Sequence, residues 1–211
     1  MKKKTGIILA VVLAVVLLAA GLTSAYGDSL FLQMGEYLGE AQNGGSLEVA
    51  AAYKDQKVMM REVEYQRNMW RLKNSGAAVP TDREIVNRLI EGMILLEVAE
   101  EKGLTATQAE VDAMMENTRA AYDLPDGKKT IDEYCAGAGM TVEEYYEKLE
   151  RDLPDAITRQ KLKDEFGREY CEEHGLEFTK VNQPPEINEA YQEYRAQLLK
   201  EHLDDIVYYI D

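Results

Sequence analysis

Few side chains in this sequence are spaced for covalent chemistry. The only histidines are His174 and His202. His174 follows Glu172-Glu173 at an expected helix end, where the helix dipole favours a cation, so its position is accounted for without catalysis. Carboxylate pairs such as Glu100-Glu101 and Glu143-Glu144 would suit acid–base work inside a cleft. They fall instead at polar helical positions and read as solvated faces. The two cysteines, Cys135 and Cys171, make no C-x-x-C motif and no zinc spacing. They read either as one disulfide outside the cytoplasm or as two buried or free thiols. The sequence holds no G-x-S-x-G, P-loop or H-E-x-x-H pattern. No catalytic residue, metal or cofactor is expected.

What remains is adhesive chemistry. Met59, Met60, Met69, Met114, Met115 and Met140, with Trp70 and several tyrosines, could supply a flexible apolar surface. Thioether side chains repack around varied partners. These seven residues are therefore the candidate binding set, and the competing reading is that most of them fill the core. The formal net charge of −15 excludes nucleic acid as a natural partner. Beyond Gly27 there are 21 cationic against 39 acidic side chains, a net of −18. That surface favours solubility and could attract basic or unfolded polypeptides, the competing reading being a solvated surface and nothing more.

The elements that must position these residues are helical. The organising stretch is residues 81–111. Thr81-x-x-Glu84 is a capping box, in which each side chain satisfies a backbone N–H of the first turn. Ile85, Val86, Leu89, Ile90, Met93, Leu96 and Ala99 then recur at helical spacing, and Ile94, Leu95 and Val98 widen the stripe. Such a helix belongs in the middle of a bundle. Gly103 closes it, and a second box, Thr107-x-x-Glu110, opens the next helix. Two further boxes, Thr130-x-x-Glu133 and Thr141-x-x-Glu144, predict two more starts, the first after a turn at Leu124-Pro125-Asp126-Gly127. Pro154 predicts a break, with Asp152 as the cap of a separate helix over 156–174. A helix over 60–73 and another over 187–203 complete the set. Val49 to Tyr53 and the tail 206–210 read as extended.

Residues 1–27 read as a targeting segment. Lys2, Lys3 and Lys4 precede an apolar run at 6–22. The run is long for a signal-peptide core and near the short limit of a spanning helix. It reads as an uncleaved anchor or as a cleaved leader. Either way the positive end stays in the cytoplasm and the rest lies outside it. Residues 28–46 read as a flexible juxtamembrane segment, in which Leu30, Phe31, Leu32, Met34, Tyr37 and Leu38 could form a short amphipathic helix and Asn43-Gly44-Gly45 a break.

The stretch from Asn87 to Met115 resembles the N-terminal chaperone domain of the SurA/PrsA-type extracytoplasmic foldases. Leu89, Ile90, Leu95, Leu96, Ala99, Gly103, Leu104, Thr107, Glu110 and Val111 fill that family's helix-and-restart pattern. Val49, Ala50, Tyr53, Val58 and Glu62-Val63 resemble its opening strand and helix, with Lys54-Asp55 where the family has Asn-Gly. The resemblance implies a mainly α, multi-helix domain over 47–211. A small two-stranded β element would join its two ends, with 206–210 on Val49–Tyr53 and the segment 186–211 packing back. It also implies an ATP-independent chaperone that holds unfolded or partly folded secreted proteins and meets the membrane only through its N-terminal segment. An envelope adaptor for one dedicated partner is the alternative. The family's parvulin-type prolyl isomerase domain needs on the order of 100 residues. Only residues 176–211 follow Gly175, so no isomerase activity is expected.

Overall fold

A computed structural model describes residues 30–74, 76–180 and 184–210. The apolar run at 6–22 lies outside them. Among the described residues no helix is long and apolar enough to cross a membrane. The described chain holds seven helices and a small sheet. In order they are α1 (Leu30–Asn43), β1 (Val49–Tyr53), β2 (Gln56–Met59), α2 (Met60–Lys73), α3 (Asp82–Glu101), α4 (Gln108–Tyr122), α5 (Pro125–Ala138), α6 (Val142–His174), α7 (Pro185–Glu201) and β3 (Ile206–Tyr208).

Three of the four sequence-predicted capping boxes form. Glu84, Glu110 and Glu144 each accept from the backbone N–H of the threonine three residues earlier at 2.7 Å. The fourth does not, because Pro125 at N1 starts α5 one turn earlier and leaves Thr130 buried inside it. The turn expected at Leu124-Pro125-Asp126-Gly127 is thus the first turn of a helix. Pro154 does not break the chain either. α6 runs through it without interruption. Proline removes one backbone bond, but the two halves of α6 are buried in different cores, and that burial outweighs the local penalty.

Those two cores organise the molecule. The first joins α1, the middle of α2, α4, α5 and the first half of α6 around Leu38, Tyr65, Tyr134, Leu149 and Leu153. The second joins the sheet, α3, the second half of α6 and α7 around Tyr53, Val58, Ile90, Ile94, Leu162 and Ile206. α3 lies in the second core with eight buried positions, the central place its wide stripe requires. Glu91 on α3 pairs with Arg195 on α7, and Arg67 on α2 with Asp82 at the start of α3.

The β element has three strands, not two. The order is β2-β1-β3, both pairings antiparallel. The tail pairs with β1 as Tyr53↔Ile206, Ala52↔Val207 and Ala51↔Tyr208. Lys57-Val58 is long enough to pair as well, once Lys54 takes a left-handed φ of 53°. That conformation costs about 1–2 kcal/mol in a residue with a Cβ. The salt bridge from Lys54 Nζ to Glu97 at 2.6 Å helps to hold it.

Residues 30–43 are not a flexible tether. Met34, Leu38 and Ala41 recur at helical spacing and are buried, so α1 is part of the first core. It crosses α5 at backbone contact. A Cβ at Gly35 would stand 2.1 Å from the Tyr134 carbonyl oxygen, and one at Gly137 would stand 2.1 Å from that of Leu32. Cys135 and Cys171 are both free and buried, so the disulfide reading gives way to the thiol one.

Candidate functional site

The seven candidate binding residues do not gather into an open patch. Met69 and Met115 are buried in the first core, and Met114 and Met140 pack half-buried against it. Met60 packs half-buried against the second core. Met59 is half-buried at the start of α2, its backbone N–H donating to Glu62 Oε2 at 2.7 Å. Trp70 is half-buried, its indole N–H donating to the Ala78 carbonyl at 3.0 Å under the Arg88 guanidinium, 4.7 Å from the ring. The core-filling reading therefore accounts for most of them. Sequence spacing places a methionine on a helix, but the facing helix decides whether that side is covered.

Two other features are open. The first is a groove of about 300 Å³ between α1 and α2, lined by Tyr37, Glu40, Gly44, Glu64, Tyr65 and Asn68 among others. Gly45 lets the chain turn closely there, since a Cβ would stand 2.5 Å from Arg61 Cβ. The groove combines aromatic walls with two carboxylates and no basic side chain, so it suits apolar or cationic groups. The second is β3, whose Val207 and Tyr209 side chains are 53% and 62% exposed. Neither feature was singled out from sequence. The apolar tail Ile206-Val207-Tyr208-Tyr209-Ile210 carried a signal for the second, while the groove left none.

Beneath the groove lies a tyrosine-rich core. Tyr134 and Tyr145 meet edge to face at 5.9 Å, and Tyr145 lies 5.6 Å from Tyr146. Burial pushes the hydroxyls of Tyr65, Tyr134 and Tyr145 well above the usual range, and that of Tyr191 up to about 12. The fold accepts the neutral phenol and not the phenolate. The stability this contributes is complete below about pH 10, the ordinary value, and is lost as pH rises toward the folded-state values. The last part of the tyrosinate absorbance should therefore appear only with cooperative loss of helix in alkali. Titration of all thirteen tyrosines near pH 10 in a chain that stays helical would contradict this.

The arrangement has no catalytic geometry among the described residues. His174 is exposed, stacked 4.0 Å from the Tyr170 ring, with Nδ1 2.8 Å from the Tyr170 carbonyl oxygen. Glu100, Glu101, Glu143 and Glu144 are all exposed, and Glu144 serves the α6 cap. Burial pushes the Cys135 thiol up to about 11, away from nucleophilic use at neutral pH. No group of three or more His, Cys, Asp or Glu side chains gathers there to hold a metal ion.

Comparison with known proteins bears on the family. No curated protein and no solved structure matches the chain. The family described as SurA-like N-terminal domain matches residues 1–163, which reach through α1 to α5 and into α6. This is the chaperone part of that family type and not an isomerase domain. With that match covering more than half of its length, and with a mainly helical fold closed by a small antiparallel sheet, the chain belongs to the SurA-like N-terminal domain family.

Proposed function

We propose that the protein is an ATP-independent holdase for unfolded or partly folded secreted polypeptides, working on the extracytoplasmic side of a membrane. The observation that carries this reading is the family match over residues 1–163. The groove between α1 and α2 and the strongly acidic surface support it, because both suit weak, reversible capture of apolar and basic segments. Lys2, Lys3 and Lys4 ahead of the apolar run at 6–22 support the location.

The test is aggregation of two unrelated unfolded proteins with the full chain and without nucleotide. Suppression of both is expected, with no acceleration of a proline-limited refolding step run alongside. Suppression of neither would overturn the holdase reading. The second reading, an envelope adaptor for one dedicated partner, draws on the finding that none of the seven candidate residues is exposed. It would then be tested by cross-linking to a single partner at the cell envelope.

A further inference from the structure

Among the described residues the sheet has one guarded edge and one open edge. β1 is central, so β2 and β3 are the two edges. β2 exposes Gln56 and Lys57, the kind of polar guard that discourages strand addition. β3 exposes Val207, and Tyr209 follows it on the same face.

The backbone phase of β3 follows from two bonds. The Lys54 N–H donates to the Asp205 carbonyl at 3.4 Å, and the Tyr209 N–H donates to the Ala50 carbonyl at 2.9 Å. In an antiparallel ladder the bonded residues alternate with those whose polar groups face the other way. The N–H and C=O groups of residues 205, 207 and 209 therefore turn toward β1, and those of Ile206 and Tyr208 turn away from it. The Ile206 N–H is taken by the Leu203 carbonyl, which leaves the Ile206 C=O and the Tyr208 N–H and C=O facing outward. The strand is held from its inner face. Ile206 is buried, and the Tyr208 hydroxyl donates to Asn87 Oδ1 at 2.6 Å with the Arg83 guanidinium 3.9 Å from its ring. An edge held in this way is preorganised for a further strand.

Charge selects the occupant. Asp204 and Asp205 are exposed at the start of β3, and Asp211 closes the same run in sequence. Parallel pairing with a second copy would bring Asp204 and Asp205 against their counterparts. A segment with cationic flanks would meet them favourably, and the chain as a whole carries −15. We propose that the outer edge of β3 captures an extended client segment, apolar at alternate positions and flanked by Lys or Arg, as a fourth strand. This deepens and rests on the holdase reading, because the occupant is a client.

The test is amide hydrogen exchange by NMR on the full chain, with a short synthetic peptide of alternating Val and Thr and a Lys at each end. Without peptide, the amides of Val207 and Tyr209 should be protected and that of Tyr208 should exchange fast, while the Ile206 amide is held by the Leu203 carbonyl. At saturation the Tyr208 amide should slow by about tenfold, as one new backbone bond implies. The same peptide N-methylated at alternate residues should bind about tenfold more weakly. Peptide binding that leaves the Tyr208 amide fast would overturn the edge site and leave the holdase reading standing. Protection that grows with protein concentration and without peptide would also overturn it, in favour of a second copy. Protection by the peptide together with failure to suppress aggregation would support the edge and remove the holdase reading.

Discussion

Replacing Gly35 by Val should be among the most destabilising single changes in the chain. The atoms in the way are backbone. A Cβ at Gly35 would meet the Tyr134 carbonyl oxygen at 2.1 Å and the Ala138 nitrogen at 2.8 Å. A side chain can rotate aside, but a helix backbone cannot, so α1 has to lift away from α5. Lifting exposes Met34, Leu38 and Ala41, which α1 contributes to the first core. Overpacking alone costs about 1–3 kcal/mol, and re-exposing a buried Leu or Met adds about 1.5–3 kcal/mol each. A loss of at least about 3 kcal/mol follows, or roughly 6–12 °C in Tm for a chain of this size. Thermal unfolding would read it, and limited proteolysis should show new cuts within Leu30–Asn43. Gly92→Ala is the control. Gly92 lies inside α3 with nothing within 4 Å of its would-be Cβ. That change should stabilise by about 0.5–1 kcal/mol, because alanine loses less freedom in a helix. A Gly35→Val chain with an unchanged Tm would mean that α1 does not cross α5 at backbone contact.

Tyr53→Ala should be of similar size, for a different reason. Tyr53 is fully buried on the central strand, in the core shared by the sheet and α3. Its hydroxyl donates to Glu97 Oε2 at 2.7 Å, and Glu97 also takes Lys54. Its ring meets His202 edge to face at 6.0 Å. Truncating a buried aromatic to alanine costs about 3–5 kcal/mol. Tyr53→Phe removes only the hydroxyl bond and should cost about 1 kcal/mol, since Glu97 keeps Lys54. Denaturant unfolding of the two variants separates the ring from the hydroxyl. Equal losses would mean that the hydroxyl, not the packing, holds β1 in place. The change should also reach β3, which pairs with β1 alone in the sheet. The Val207 and Tyr209 amides should lose protection in Tyr53→Ala and keep it in Tyr53→Phe. The capturing edge would be lost with them.

The sequence by itself determined the features that are settled within a turn or two of chain. Thr81, Thr107 and Thr141, each with a glutamate three residues on, marked helix starts because a capping box closes on itself. Gly139 and Gly175 take left-handed φ values at helix ends for an equally local reason. The wide apolar stripe of α3 announced a central helix, and the family pattern around Gly103 survived comparison with known proteins. The pairing of the tail with β1, which the family resemblance implied, also held.

Tertiary structure alone decided the rest. Thr130-x-x-Glu133 has the same local form as the three boxes that work, but packing extends α5 back to Pro125 and buries Thr130. Pro154 stays helical because α6 is held on both sides of it by separate cores. The short amphipathic helix over 30–43 is legible in the sequence, but its place in the core is not, because that depends on Gly35 and Gly137 letting α1 and α5 touch. Met69 and Met115 are core residues and not surface ones, because distant helices cover them. The groove between α1 and α2 and the outward phase of β3 depend on how elements far apart in sequence dock and register. Hydrogen bonds that close over three or four residues are written in the order of the chain. Burial is a property of what arrives from elsewhere to cover a side chain, so the open groove and the strand edge are visible only in three dimensions.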